Sequence, residues 1–420
     1  MSLLQAQSAL GLVGLAALAW ACGGFRRPIP WRILAAGLAL QIGLAALLLE
    51  LPPLRATFDG LGKGVEALSA ATQAGTALVF GYLGGAPLPF QETRPDGGFI
   101  LFFQALPLLL VVGALSALLY HWRILPLVVR GLSVLLRRAF GISGAAGFSV
   151  AANVFLGMVE APLLIRPWLA RLSQAELFMV MVAGLATIAG NMLVIYATLL
   201  APVVPGAAGQ LLTASLICAP ASVLAAALMR PPAVPAAGAG AAVLPDEMAA
   251  PRLYDSAMEA VVQGTADGLQ LLLGVMATLI VFVALAALAN MMLEPLTGWT
   301  LQSLLGLVFR PLAWLMGIPG EHLATVGSSL GLKVVLNEFV AYLGFATGGG
   351  LGLDGRSRLI LTYALCGFSN LGSVGIMLGG LTTMCPERRA DIVRLGLPAL
   401  VAANIACCMT GAVVGLLTAP

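Results

Sequence analysis

Long apolar runs, separated by short polar or charged segments, dominate the hydropathy pattern of this chain. Each run is close to the length of about 20 residues that an α-helix needs to cross a bilayer. Eight runs predict transmembrane helices, at residues 3–24, 33–51, 99–120, 176–200, 209–229, 269–293, 356–381 and 395–417. The pattern therefore predicts an all-α polytopic membrane protein with eight transmembrane helices.

Three further segments combine charged residues with apolar positions at helical spacing. Helices of this kind commonly lie in the membrane–water interface, with their apolar face toward the acyl chains. We expect interfacial helices at residues 54–75, 123–140 and 299–317. Gly, Pro and charged residues at 76–98 indicate a loop, and the Pro, Ala and Gly of 230–252 indicate a flexible linker.

The distribution of arginine sets the expected orientation, because cytoplasmic loops are enriched in Lys and Arg. Arg26, Arg27 and Arg32 follow the first apolar run, which has no basic residue before it. That run is therefore expected to be a retained helix rather than a cleaved signal peptide. With the Arg-rich loops inside, both termini are expected on the external side of a cell inner membrane.

Two apolar segments are interrupted at their centres by a carboxylate. Residues 143–170 contain Glu160 and residues 321–347 contain Glu338, each close to Asn and Gly. Polar residues at the centre of apolar flanks are typical of a helical hairpin that enters the membrane and leaves on the same side. Non-helical backbone at that depth needs partners from protein or water. We therefore predict two re-entrant helical hairpins.

The two interrupted segments belong to an internal repeat. Asn191 lies 31 residues after Glu160, and Asn370 lies 32 residues after Glu338. Each of these Asn residues falls in a span that is broken by Gly. In the expected topology one hairpin opens from the cytoplasm and the other from outside, so the repeat is inverted. In transporters, paired interrupted segments of this kind indicate the binding site.

The interruptions also predict a chemistry. A broken helix leaves unpaired carbonyl groups, which suit a small cation, and unpaired N–H groups, which suit a polar organic solute. A carboxylate inside the membrane is costly and is by default a functional hypothesis. The structural alternative is an ion pair, of Glu160 with Arg166 or of Glu338 with Lys333.

Composition excludes other classes of protein. The chain is 60% hydrophobic and 9% charged, whereas soluble proteins carry about 25% charged residues. Its net charge of +3 gives no indication of nucleic acid binding. No nucleophile–base pair, phosphate-binding loop or metal-ligand spacing of cysteines is present, so neither an enzyme nor a cofactor is predicted. His322, near the second hairpin, is a candidate for a proton-linked role.

Three motifs in the interrupted segments resemble those of the concentrative nucleoside transporter family. They are Gly157-Met158-Val159-Glu160-Ala161-Pro162, Asn337-Glu338-Phe339-Val340-Ala341-Tyr342 and Cys366-Gly367-Phe368-Ser369-Asn370-Leu371-Gly372-Ser373. The resemblance extends from the first span to the last. It implies a homotrimer of elevator-type transporters, in which a transport domain slides past a scaffold and a Na⁺ or H⁺ gradient drives nucleoside uptake.

The resemblance also divides the chain into spans of the scaffold and spans of the transport domain. The implied segments are 1–98 with spans one and two and an interfacial helix, 99–142 with scaffold span three and an interfacial helix, 143–229 with the first hairpin and spans four and five, the linker 230–252, 253–320 with scaffold span six and an interfacial helix, and 321–420 with the second hairpin and spans seven and eight.

Carried over by position, the resemblance assigns ligands for the nucleoside. Glu338, Asn370 and Ser373 would meet the ribose hydroxyls, because a carboxylate and an amide can bridge two neighbouring hydroxyl groups. Phe368 would pack against the nucleoside. Glu160 would lie near the base and contact it directly or through water.

The resemblance assigns a Na⁺ site as well, between the tip of the first hairpin and the break in the fourth span. Its ligands would be the side chains of Asn153 and Thr187 and the backbone carbonyls of Leu156 and Ile188. Hard oxygen ligands of this kind suit Na⁺.

The chain departs from the family's pattern at two places. The family usually has Gln-Thr before the hairpin acid, where this chain has Met158 and Val159, whose side chains cannot donate hydrogen bonds. It often has Ser and Val where this chain has Asn191 and Met192. These changes favour purine nucleosides or a broad range of bases, with Asn191 supplying a base contact and Met158 an adaptable apolar surface. Alternatively, Met158 and Val159 only pack against neighbouring helices.

The favoured function is secondary active symport of nucleosides, coupled to Na⁺ or H⁺. The alternatives are a passive channel and a transporter of another small polar solute. Two opposed hairpins are more than a pore requires, which favours the symporter. The coupling ion stays open, because burial can raise the pKa of Glu160 or Glu338 enough for either to carry a proton.

Overall fold

The computed structural model describes residues 2–50, 52–91, 99–232 and 253–419. In these ranges all regular structure is helical and no strand occurs, which confirms the predicted all-α class. Seven of the described helical segments are long and apolar enough to cross a membrane. Most of the predicted linker 230–252, and residues 92–98 of the predicted loop, lie outside the described residues.

Three helices form the N-terminal part of the chain: α1 (Leu3–Cys22), α2 (Trp31–Glu50) and α3 (Pro52–Phe80). Helix α3 packs against α2 and reaches further than the predicted 54–75. The expected loop from residue 76 was therefore wrong at its start. Residues 76–80 are mostly apolar and contain no helix breaker, so the helix continues until Gly81, whose φ of 61° is left-handed.

The third span is divided into α4 (Leu101–Gln104) and α5 (Leu108–His121), and α6 (Ile124–Phe140) follows. Helix α5 packs along α13 (Ala257–Thr297), which has 41 residues where the sequence predicted a span at 269–293. At 1.5 Å per residue α13 is about 60 Å long, roughly twice the hydrocarbon thickness of a bilayer. Gly113 and Gly264 bring these helices into backbone contact, because a Cβ at either position would collide with the facing chain.

The first interrupted segment consists of α7 (Gly144–Ala152), a non-helical turn at 153–159, α8 (Glu160–Leu163) and α9 (Arg166–Leu169). We call this segment hairpin 1. The fourth span follows as α10 (Gln174–Ala186) and α11 (Gly190–Leu200), with its break at 187–189, and the fifth span is α12 (Ala207–Met229).

The second interrupted segment is hairpin 2, made of α15 (Leu323–Val335) and α16 (Glu338–Gly344), which pack against each other. Helix α14 (Leu301–Leu315) precedes it and packs along α15. The predicted seventh span is divided into α17 (Gly355–Leu365) and α18 (Leu371–Met384), and α19 (Arg389–Leu417) ends the chain.

Hydrogen bonds between backbones join three of the helix breaks at the centre of the molecule. The N–H of Gly190 donates to the carbonyl of Phe155 at 2.9 Å, and the N–H of Phe368 donates to the carbonyl of Thr187 at 3.3 Å. Gly367 permits the second contact, because a Cβ there would collide with the carbonyl of Ala186. Hairpin 1 and the two broken spans are therefore held together where their backbones are not helical.

Candidate functional site

A cavity of about 290 Å³ lies where hairpin 1, hairpin 2 and the two broken spans approach α13. All nine residues predicted to bind substrate line it: Met158, Val159, Glu160, Asn191, Met192, Glu338, Phe368, Asn370 and Ser373. These residues come from four separate stretches of the chain. The structure therefore brings together a set that the sequence linked only through the repeat and the family motifs.

Glu338 is the most firmly held of the cavity's polar groups. It is the first residue of α16, and only 5% of it is exposed. Its Oε1 accepts a hydrogen bond from the Tyr196 hydroxyl at 2.8 Å, and its Oε2 accepts one from the Asn370 amide at 2.7 Å. A carboxylate can accept about four hydrogen bonds, so Glu338 keeps acceptor capacity for a ligand.

Asn370 is fixed by its position at the start of α18. Its side-chain oxygen accepts the backbone N–H of Ser373 at 2.7 Å, which makes it the N-cap of that helix. Its amide nitrogen is thereby directed to Glu338. Among the described residues the Ser373 hydroxyl has no hydrogen-bond partner, so it is available to a ligand.

Glu160 presents its carboxylate at the cavity and is an exposed residue of the protomer. The carboxylate folds back over Gly157, where a Cβ would collide with Glu160 Oε2. Neither predicted ion pair occurs among the described residues: Arg166 is exposed, and the buried Lys333 Nζ donates to the carbonyl of Ala364 at 2.9 Å. Neither hairpin carboxylate therefore forms a direct ion pair with these cations.

Met158 and Val159 both line the cavity and pack against neighbouring helices. A Cβ at Gly184 would lie 3.1 Å from the Cβ of Met158, and a Cβ at Gly380 would collide with the Val159 side chain. The two interpretations of this pair are therefore compatible, since each side chain contacts a neighbouring glycine and also forms part of the cavity wall.

Asn191 and Met192 begin α11 on another wall of the same cavity. The side-chain oxygen of Asn191 accepts the backbone N–H of Met192 at 2.8 Å. This bond orients the Asn191 amide and leaves its two N–H groups without a partner among the described residues. Asn191 therefore offers hydrogen-bond donors that Met158 and Val159 cannot provide.

The sequence prediction missed Tyr196, the second partner of the Glu338 carboxylate. Tyr196 is fully buried on α11, five residues after Asn191. Tyrosine hydroxyls usually find a partner when they are buried. A tyrosine at the centre of an apolar span, between two apolar segments that each contain a carboxylate, was the signal that could have identified it.

The prediction also missed the wall that α13 contributes. Gln270, Gly274, Thr278 and Phe282 recur every fourth residue and line the cavity. Residues with this spacing lie on one face of a helix. Small and polar residues along one face of an otherwise apolar span were therefore a readable signal.

The four predicted Na⁺ ligands lie at the junction of hairpin 1 with the break between α10 and α11. Asn153 is 1% exposed, and neither its side-chain oxygen nor its nitrogen has a hydrogen-bond partner. The Thr187 hydroxyl lies 2.8 Å from the carbonyl of Asn153. The carbonyls of Leu156 and Ile188 lie outside regular helix and accept no backbone hydrogen bond in the described chain.

This donor set fits a hard monovalent cation. Buried polar groups are normally hydrogen-bonded, so an unpartnered buried amide calls for an explanation such as an ion. An amide oxygen, a hydroxyl and two carbonyls are neutral oxygen ligands. No group of His, Cys, Asp or Glu that could hold a metal occurs in the ranges that the structure describes.

His322 does not line the cavity. His322 is the residue before α15, and its Nε2 lies 3.2 Å from Oδ2 of Asp354, the N-cap of α17. The predicted proton-linked role for His322 therefore has no support from contact with the substrate cavity.

Three family models match successive parts of the chain. The model described as Na⁺ dependent nucleoside transporter N-terminus matches residues 10–83, and that of the corresponding C-terminus matches residues 210–415. Between them, residues 102–203 match a model described as nucleoside recognition. The matched segments cover most of the chain and include every residue of the two candidate sites.

Relatives and solved structures match over nearly the full length. An uncharacterized transporter of Haemophilus influenzae is 37% identical over 97% of both chains, and the putative nucleoside permease NupX of Escherichia coli is 35% identical over 97% of this chain and 98% of its own. The structure of CNTnw in an inward-facing substrate-bound state superposes with a TM-score of 0.86 at 33% identity, covering 99% of both chains.

Proposed function

This chain belongs to the Na⁺-dependent nucleoside transporter family, and we propose that it is a Na⁺-coupled nucleoside symporter of the cell inner membrane. The observation that carries the proposal is the Glu338 carboxylate, buried in the cavity and held by Tyr196 and Asn370. The Glu338 carboxylate and the free Ser373 hydroxyl, which line the same cavity, form a recognition surface for the adjacent hydroxyls of a ribose.

Na⁺ is the proposed coupling ion, and Asn153, Thr187, Leu156 and Ile188 are its proposed ligands. The unpartnered amide of Asn153 supports this assignment. The backbone hydrogen bond from Phe368 to Thr187 connects the ion ligands to the helix break that begins the substrate wall. An ion that orders Thr187 would therefore also order Phe368, which is a physical route for coupling. Proton coupling through Glu160 is the competing assignment.

The base would be received by the mixed wall of the cavity. Met158 and Val159 offer an apolar surface, and Asn191 offers amide donors. A binding site rejects the wrong base mainly when that base leaves polar groups of the site without hydrogen bonds. A wall with few fixed polar groups therefore discriminates weakly between bases. We therefore propose a preference for purine nucleosides or a broad base range.

We expect Tyr196→Phe to raise the KM for nucleoside uptake about tenfold while the maximal rate changes little. The substitution keeps the ring but removes the hydroxyl that orients Glu338 Oε1. The matched control is Tyr363→Phe, because the Tyr363 hydroxyl bonds Gln210 away from the cavity. Equal KM values for Tyr196→Phe and the wild type would show that this bond does not serve ribose binding.

We expect Gln270→Leu to shift the ratio of adenosine to uridine uptake efficiency by roughly tenfold. The Gln270 amide lines the cavity and has no partner among the described residues, so it is free to meet a base edge. The control is Gln263→Leu on the same helix, whose amide bonds Asp267 outside the cavity. An unchanged ratio of adenosine to uridine uptake efficiency in Gln270→Leu would show that Gln270 of α13 does not contribute to base specificity.

The proposed transport cycle is an elevator. Helices α5 and α13 are in close contact through their glycines, which suits a scaffold made of spans three and six. The hairpins and the broken spans would form the moving transport domain, as an inverted repeat. The cavity lies between these two groups of elements. Helix α13 is mostly exposed in the protomer, in keeping with a homotrimer or lipid at this surface. We propose that both termini lie on the external side.

Uptake of labelled adenosine and uridine into proteoliposomes tests the proposal. An inward Na⁺ gradient should drive accumulation above the external concentration, and collapse of the gradient should release the nucleoside. A passive channel would only equalise the two concentrations. Accumulation that follows an inward proton gradient and ignores Na⁺ would replace the ion in the proposal.

A further inference from the structure

A second cavity, of about 550 Å³, lies between α14 and hairpin 2 and shares no lining residue with the substrate cavity. Its polar side chains are Gln302, Ser303, Arg310, Thr325, Ser328 and Ser329. Arg310 is the only charged residue among those that line it, and no carboxylate faces it. The cavity therefore carries one positive charge surrounded by hydroxyl and amide groups.

The guanidinium of Arg310 is available to a ligand. Arg310 is exposed, and neither an ion pair nor a hydrogen bond engages its side chain within the described ranges. The Ser328 hydroxyl likewise has no partner in those ranges, whereas the Ser329 hydroxyl donates a hydrogen bond to the carbonyl of Thr325 at 3.0 Å. A guanidinium forms short, strong, often bidentate hydrogen bonds with phosphate oxygens, and nearby hydroxyls can complete such a site.

The surroundings of the cavity favour a lipid over a free ion. Trp299 and Leu307, both exposed, belong to its lining, and Val308 next to them is 68% exposed. Tryptophan is enriched where membrane proteins meet the headgroup region. A phosphate at Arg310 would thus lie beside an apolar surface that acyl chains can cover.

We propose that this cavity binds the headgroup of an anionic phospholipid, with its phosphate on Arg310 and its acyl chains along the exposed apolar residues of α14. The same helix is fixed to hairpin 2 by close backbone contact, since Cβ atoms at Gly327 or Gly331 would collide with α14. A lipid bound here therefore contacts the assembly of α14 and α15 that leads to Glu338. The binding does not depend on which solute is transported.

Native mass spectrometry of the purified protein with added phosphatidylglycerol or phosphatidylcholine tests this site. The wild type should retain phosphatidylglycerol preferentially, and Arg310→Gln should lower that preference about tenfold through loss of a charge-assisted pair. Arg389→Gln is the matched control, because it removes an exposed arginine at the start of α19. Arg310→Lys should keep part of the preference, which separates the charge from packing.

Three results would overturn the assignment. The first is equal retention of the two lipids by the wild type, and the second is a preference that Arg310→Gln leaves intact. The third is that inorganic phosphate, added to the protein in phosphatidylcholine nanodiscs at matched ionic strength, gives the full thermal stabilisation that phosphatidylglycerol gives, because the ligand would then be the free anion.

Discussion

Glu338→Gln is expected to lower nucleoside uptake efficiency by a hundredfold or more while the protein still inserts and folds. The carboxylate accepts hydrogen bonds from Tyr196 and Asn370 on its two oxygens. A glutamine can still accept from the Asn370 amide through its oxygen, but its N–H₂ group then faces Tyr196, whose hydroxyl must reverse and accept. The proposed charge-assisted bonds to ribose, each worth about 1.5–3 kcal/mol, would be lost as well.

Initial rates of uptake in proteoliposomes, together with nucleoside affinity in detergent, measure this effect. Glu321→Gln is the matched control, because its carboxylate lies before the first arm of hairpin 2 and its side chain is 77% exposed. The control should retain wild-type kinetics. Wild-type uptake by Glu338→Gln, at equal protein per vesicle, would contradict the assignment of the ribose site to this carboxylate.

Asn153→Leu is expected to abolish the stimulation of uptake by Na⁺ and to raise the melting temperature in Na⁺-free buffer. The amide of Asn153 is buried without a partner, which costs about 1–3 kcal/mol until a ligand is bound. Leucine has a similar size and no polar group to satisfy. A higher melting temperature of Asn153→Leu, together with loss of its Na⁺ dependence, would indicate that Asn153 serves ion binding rather than folding.

Na⁺ titrations of melting temperature and of initial uptake rate separate these outcomes. Na⁺ should stabilise the wild type, because a ligand that binds only the folded state raises its stability, and it should not stabilise Asn153→Leu. The control is Ser149→Ala on α7, the helix that ends just before Asn153, because this change removes a buried hydroxyl that also has no partner. Equal Na⁺ responses in wild type and Asn153→Leu would remove this amide from the ion site.

Sequence alone predicted the class of the fold and most of the candidate cavity. The intramembrane carboxylates were informative because an apolar chain tolerates them only where a function requires them. Their matching distances to Asn191 and Asn370 indicated that the two segments correspond. The family assignment confirms the prediction of a nucleoside transporter rather than an enzyme. That the lining residues bind nucleoside remains a prediction.

The positions that were missed depend on packing between distant elements. Tyr196 contacts Glu338 only because α11 packs against α16, a contact that no local pattern encodes. The α13 wall was missed because its small and polar residues are spread among apolar ones. Only packing across the chain shows that seven residues of one face line the cavity. The length of α13 was underestimated because polar residues at 257–268 continue the helix instead of ending it.

We expect the site of Asn153 and the site of Glu338 to be energetically coupled through the joined helix breaks. Nucleoside affinity of the purified protein, measured calorimetrically with saturating Na⁺ and with choline in its place, tests this directly. Coupling between sites is reciprocal and typically amounts to about 5–150-fold. Na⁺ should tighten nucleoside binding roughly fivefold or more, and nucleoside should tighten Na⁺ binding by the same factor. Equal nucleoside affinity in both buffers would contradict it.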